Sequence, residues 1–286
     1  MGNIISLLKK AFDFFVFTSL FIAFGAVLMV WQTAYLFGIP LSTNLAAFVF
    51  FGTVCSYNFH WYLTPPSVST TSVKTKWNIN YKYLHLILFI IGLIGSAVFT
   101  LLLIQHWVWL ILTAFLTFLY SAPKLSFEPF IRLRKFAIGK TIFLAVAWAH
   151  ITSVLPVLVS TDSITTPQIW FAINRFLFIY GICIIFDRRD VVEDRKEGIK
   201  SFITILSEKG IDRLFWGTMI AHLLSFGLLV PYFSTTQMII LFFPAIILSL
   251  LYYPSKTNSS DYLYYFVLDG LVMLSATILV LIKFVR

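Results

Sequence analysis

The sequence predicts an all-α polytopic membrane protein, one domain over residues 1–286 with nine transmembrane helices set out as two four-helix halves and a ninth helix. Three observations predict it. Hydrophobic residues make up 59% of the chain and charged residues 12%, with a mean hydropathy of +0.90. Soluble domains average about 45–50% and roughly 25%, so most of this surface must face lipid. The apolar runs recur near the ~20 residues that a helix needs to cross a bilayer, and basic residues gather in alternate connections between them.

Charges, prolines and polar clusters bound the spans at 12–37, 41–63, 83–105, 107–122, 136–159, 168–187, 213–233, 236–253 and 262–283. The first follows Lys9 and Lys10, lacks a small-residue cleavage site and runs on through Trp31 and Tyr35. It reads as a retained helix rather than a signal peptide. Met1-Gly2-Asn3-Ile4-Ile5-Ser6 fits a myristoylation pattern, but helices already anchor the chain and the match is read as coincidence. Only Gln105 and His106 separate the third span from the fourth, which leaves eight spans as the alternative count. In the fifth, Lys140 and His150 stand roughly 280° apart around a helix and share no face. Arg175 in the sixth span and Asp269 in the ninth either pair or line the interior; for Arg175, snorkelling outward is the other reading.

Loop charge decides between the counts. With the amino terminus inside, nine spans place 18 of the 21 Lys and Arg residues on the inner side, whereas eight scatter them over both. The amino terminus is therefore expected in the cytoplasm and the carboxyl terminus on the opposite side. A net charge of +9 would suggest nucleic acid in a soluble chain. Here the charges sit in short loops between apolar spans, and no nucleic-acid partner is expected. Cys55 and Cys183 lie inside spans, which argues against a disulfide framework.

The connections after spans two, four and six carry most of the polar side chains, so a reactive site is expected to open towards the cytoplasm. Its strongest element is Asp187-Arg188-Arg189-Asp190-Val191-Val192-Glu193-Asp194-Arg195-Lys196-Glu197-Gly198. At 100° per residue, Asp187, Asp190 and Asp194 fall within about 60° of one helix face. Three carboxylates on one face repel one another unless a cation sits among them. Their oxygens suit Mg²⁺, which is usually held by one or two carboxylates plus substrate phosphates. Arg188, Arg189, Arg195 and Lys196 are interleaved so as to meet the same phosphates. The bland alternative is a solvated loop of mixed charge. After span four, Tyr120-Ser121-Ala122-Pro123-Lys124 and Arg132-Leu133-Arg134-Lys135 read on their own as an interfacial tyrosine, a proline stop and positive-inside charges.

The chain also repeats itself weakly. Leu119–Lys124 is similar to Leu251–Lys256 at an offset of 132, and the same offset carries Asn58 to Asp190 and Tyr62 to Asp194. This divides the chain into halves of about 12–135 and 136–260, with the ninth helix at 262–283.

At these residues the sequence resembles the UbiA superfamily of intramembrane prenyltransferases, whose nine helices carry two aspartate-rich motifs after helices two and six. Asp187-x-x-Asp190-x-x-x-Asp194 followed by Gly198-Ile199-Lys200-Ser201 looks like the second motif, and Tyr120-x-x-x-Lys124 is similar to the tyrosine–lysine motif after helix four. The resemblance implies a Mg²⁺ and prenyl diphosphate site. In it Asp187, Asp190 and Asp194 are metal ligands and catalytic groups, Tyr120 and Lys124 are catalytic, and Lys200 joins the phosphate contacts. The first motif departs from the family pattern of an Asn with aspartates four and eight residues on. Here Asn58 is followed by Tyr62 and Pro66. That leaves Asn58 as a metal ligand and Tyr62 in the binding site, with His60 either a weak substitute or an interfacial histidine, since imidazole is a poor partner for Mg²⁺. Lys74 and Lys76, just downstream, would offset phosphate charge in place of a second metal.

The function implied is transfer of a prenyl group from a prenyl diphosphate to a lipidic or aromatic acceptor, with Mg²⁺, inside the membrane. The alternative is a catalytically impaired accessory protein that binds lipid or diphosphate. A transporter is the third class, but its acidic residues would belong at the midplane rather than at the rim.

Overall fold

A computed structural model describes residues 2–64, 72–121, 140–196 and 201–285, and every regular element among them is helical. In chain order these are α1 (Gly2–Phe17), α2 (Leu20–Phe37), α3 (Thr43–Leu63), α4 (Val73–Asn80), α5 (Lys82–Leu102), α6 (Trp107–Ser121), α7 (Lys140–Ala149), α8 (Leu155–Thr161), α9 (Thr166–Lys196), α10 (Phe202–Ile205), α11 (Glu208–Phe226), α12 (Thr235–Ser255) and α13 (Asp269–Val285). A wide π-turn over His150–Val154 joins α7 to α8, and a second over Leu263–Leu268 leads into α13.

Six helices among the described residues are long and apolar enough to cross a membrane: Leu20–Phe37, Lys82–Leu102, Thr141–Thr161, Thr166–Val192, Thr235–Ser255 and Leu263–Phe284. The other three expected spans are helical too, but each falls short for a local reason. Helix α3 carries Asn44, Asn58 and His60, the apolar stretch Ile104–Leu119 is shorter, and α11 opens on Glu208, Lys209, Asp212 and Arg213. The weak separator Gln105-His106 is a short 3₁₀ turn between two distinct helices. The first expected span, 12–37, is interrupted: Ser19 adopts φ 67°, a left-handed conformation rare for a residue with a side chain, and α1 ends there.

The helices are held by close backbone approaches and by polar side chains that meet inside the bundle. Helix α5 lies against α3 because Gly92 has no side chain: a Cβ there would stand 2.5 Å from the backbone nitrogen of Cys55. Small residues at such crossings are a general device of membrane helices.

Arg175, on α9, neither snorkels nor bonds to Asp269. It is 5% exposed, and its guanidinium donates to Thr152 O at 2.6 Å, Gln32 Oε1 at 2.6 Å, Thr33 Oγ1 at 2.9 Å and Met29 O at 3.3 Å. Pro156, four residues on, has no N–H to return to the Thr152 carbonyl in an α-helical bond. Thr33 Oγ1 donates to the same carbonyl at 2.6 Å. One backbone acceptor on the α7–α8 hinge is thus bonded by both α2 and α9.

Candidate functional site

The acidic run lies on a helix, not in a solvated loop. Helix α9 spans 31 residues, roughly 46 Å at 1.5 Å per residue, which exceeds the ~30 Å hydrocarbon core. Asp187 and Asp190 therefore stand in the last two turns of the apolar segment Thr166–Val192, and Asp194 stands just beyond it, before the helix ends at Lys196.

Each carboxylate has its own surroundings. Asp187 Oδ2 accepts a hydrogen bond from Thr141 Oγ1 at the start of α7. Asp190, 42% exposed, pairs with Arg189 Nε at 2.8 Å, and Asp194 is buried. Among the described residues no three His, Cys, Asp or Glu side chains converge closely enough to hold a metal ion by themselves. The donor set still consists of hard carboxylate oxygens at one helix end, which fits a Mg²⁺ shared with phosphate rather than one caged by protein.

The neighbouring cations are engaged with the protein. Arg188 Nη2 pairs with Glu208 at 2.8 Å, while Arg195 donates to Thr204 O at 3.0 Å and Leu206 O at 2.8 Å. Together they tie the end of α9 to the start of α11. Lys196 is exposed. Arg189 reaches furthest inward, with Nη2 donating to Tyr265 Oη at 3.1 Å and the guanidinium 4.3 Å from the Tyr264 ring.

In the first half, the break between α1 and α2 leaves helix-end carbonyls without intrahelical donors, and two site candidates satisfy them. Asn58, fully buried, donates from Nδ2 to Thr18 O at 3.0 Å and Val54 O at 2.8 Å. Its Oδ1 is thereby turned to accept from His85 Nδ1 at 2.7 Å. Lys74 Nζ donates to Phe17 O at 2.6 Å, which puts a cation at the negative end of α1. Four rings surround that ammonium, Trp61 at 4.4 Å, Phe17 at 5.1 Å, Tyr265 at 5.4 Å and Trp77 at 5.8 Å. Burial lowers the Lys74 amine to about 7, against the pull of the Asp269 and Asp261 carboxylates. Asp261 also fixes α4 from outside, accepting from Ser72 Oγ and from Lys74 N at 2.9 Å each. His60 is buried with its ring 5.7 Å from Trp61, Tyr62 lies under Lys82 Nζ at 5.2 Å, and Lys76 is exposed.

Tyr265 joins residues far apart in the chain. Its ring faces Trp61 at 5.6 Å and Phe186 at 6.1 Å, and its hydroxyl holds Arg189. Asp269, one turn on, lies within electrostatic reach of both Lys74 and Arg189. Sequence reasoning had Lys74 and Asp269 but not Tyr264 or Tyr265; the tyrosine-rich start of the ninth span, Tyr262-Leu263-Tyr264-Tyr265, was the available signal.

Lys124 and Lys200 lie outside the described residues, as does the side chain of Tyr120. The repeat partners of Tyr120 and Lys124 are described. Tyr252 Oη donates to Asp212 Oδ1 at 2.6 Å, and Lys256 pairs with the same oxygen. Partial burial works against the Asp212 charge, but these two donors outweigh it and hold the carboxyl below its usual range.

A family model described as the UbiA prenyltransferase family matches residues 78–266, well over half the chain and inclusive of Asp187, Asp190 and Asp194. No curated protein and no solved structure matches it.

Proposed function

The chain belongs to the UbiA prenyltransferase family, and on that premise we propose that it transfers a prenyl group from a prenyl diphosphate to a lipidic or aromatic acceptor within the membrane. The observation that carries the reading is the gathering of Asp187, Asp190 and Asp194 on the last turns of α9, beside the half-buried Arg189 and the buried Lys74. In this reading the chain crosses the membrane nine times, with the amino terminus and the site mouth on the cytoplasmic side.

Asp187, Asp190 and Asp194 would hold Mg²⁺ together with the diphosphate. Bound there, Mg²⁺ supplies charge neutralisation of the leaving group. Arg189 acts from the wall as a fixed positive charge, to which Lys74 adds when protonated, and such preorganised charge stabilises an anion most where water is excluded. The allylic C–O bond breaks with its electron pair going to the diphosphate. The allylic cation is then captured by the acceptor, which loses a proton. Lys74 would offset phosphate charge in place of a second metal: Asn58 stands where the repeat has Asp190, and its amide is spent on Thr18, Val54 and His85. Tyr120 and Lys124 belong to the same proposal as catalytic groups, with Lys76, Lys196 and Lys200 as outer phosphate contacts.

That engagement of Asn58 also favours a second reading, an accessory protein that binds a prenyl diphosphate without turning it over. The test is transfer itself. Purified protein in lipid nanodiscs is given Mg²⁺, labelled prenyl diphosphates of several lengths and a membrane lipid extract. Labelled lipid product supports the enzyme; saturable binding with no product supports the accessory protein.

A further inference from the structure

Helix α13 begins at Asp269, beside Lys74 and Arg189, and reaches Lys283 fourteen residues later, ~21 Å away along the axis. At that far end of the bundle a groove of about 300 Å³ opens between α2 and α13, lined by Trp31, Ala34, Tyr35, Ile39, Leu41 and Lys283. Gly38 makes one wall possible: at φ 62° it ends α2 in a left-handed turn, with Ile39 N bonded back to Ala34 O at 3.0 Å. Trp31 and Tyr35 stack at 5.1 Å and 12°, and the Lys283 ammonium stands 5.7 Å from each ring.

Three polar heads therefore share one groove without being used. Among the described residues the Trp31 indole N–H and the Tyr35 hydroxyl make no hydrogen bond, and Lys283 makes no ion pair. The acid at this end, Asp162, faces His106 at 3.7 Å. The rest of the lining is apolar, from Ala34, Ile39 and Leu41, and Leu41 is 38% exposed.

We propose that this groove is a binding site for the headgroup of an anionic phospholipid, with the phosphate on Lys283 and polar atoms on Trp31 and Tyr35. A zwitterionic headgroup fits less well, because Lys283 already occupies the cation-binding faces of both rings. The volume is at the lower limit of ligand pockets, which suits a headgroup rather than a whole lipid. This proposal does not rest on the prenyltransferase reading.

The experiment measures lipid retention by native mass spectrometry and the thermal shift of detergent-purified protein with phosphatidylglycerol, phosphatidylcholine or inorganic phosphate. One lysine at a membrane surface is worth about fivefold in affinity for an anionic lipid. Wild type is expected to prefer phosphatidylglycerol by at least that margin. The margin is expected to disappear in Lys283→Gln, persist in Lys283→Arg, and weaken in Trp31→Ala. Lys209→Gln, which removes an exposed lysine from α11, should leave it intact. Equal losses in Lys283→Gln and Lys209→Gln would reveal diffuse charge attraction and overturn the site. Inorganic phosphate displacing the lipid at equal concentration would overturn the lipid as occupant.

Discussion

Replacing Lys74 by Met keeps an unbranched chain inside the cage of Phe17, Trp61, Trp77 and Tyr265 but removes the ammonium. In the folded protein burial lowers this amine to about 7, whereas in the unfolded chain it titrates near ~10.4. Below pH 7 both states hold the proton. Between pH 7 and about 10.4 the unfolded chain binds more protons than the folded one, so this residue's contribution to stability rises with pH and levels off above that window. At 1.36 kcal/mol for each pH unit, the full rise is about 4–5 kcal/mol as an upper bound. The variant also leaves the Phe17 carbonyl without its donor, a loss of about 1–3 kcal/mol that does not depend on pH. Unfolding of both proteins in detergent micelles, followed by circular dichroism from pH 6.5 to 10, reads the difference. Wild type should gain on the K74M protein steadily from pH 7 upward. Parallel pH profiles would refute the buried ammonium.

Further outcomes follow from the packing and the site. Gly92→Ala forces apart two backbones now in contact at Cys55; it should cost about 1–3 kcal/mol, read as a lower unfolding temperature. Arg175→Ala strands Gln32 Oε1 and leaves the Thr152 carbonyl to Thr33 alone; it should cost about 1–3 kcal/mol, visible as reduced yield of folded protein. Tyr265→Phe removes the hydroxyl that accepts from Arg189. It should weaken prenyl diphosphate binding at least about tenfold, in line with about 1.5–3 kcal/mol for one hydrogen bond to a charged group, while the unfolding temperature changes little.

The helical architecture was legible because lipid imposes a simple pattern: apolar runs of the right length, separated by charge. Where that pattern blurred, the structure depended on single residues. Ser19 interrupts the first run through its backbone conformation, which composition does not reveal. Arg175 looked like a candidate to snorkel or pair with Asp269, yet a backbone carbonyl of the α7–α8 hinge, at Thr152, accepts from it inside the bundle. The site was half legible. Helical spacing put Asp187, Asp190 and Asp194 on one face near a helix end, and the offset of 132 linked Asn58 to Asp190. It could not show that Asn58 and Lys74 are taken up by the end of α1, because that depends on a break between helices 40 and 57 residues away in the chain. Nor did the spacing identify Tyr265, whose importance comes from three elements meeting rather than from its neighbours in sequence.

Diphosphate release tests the central claim most directly. Purified protein is supplied with Mg²⁺ and a prenyl diphosphate, and inorganic diphosphate is measured over time for wild type, Asp187→Ala and Asp190→Ala. The account predicts Mg²⁺-dependent release by wild type and its loss in both variants, with the proteins still folded. Prenyl diphosphate bound but never cleaved, or release that persists unchanged in both variants, would contradict it.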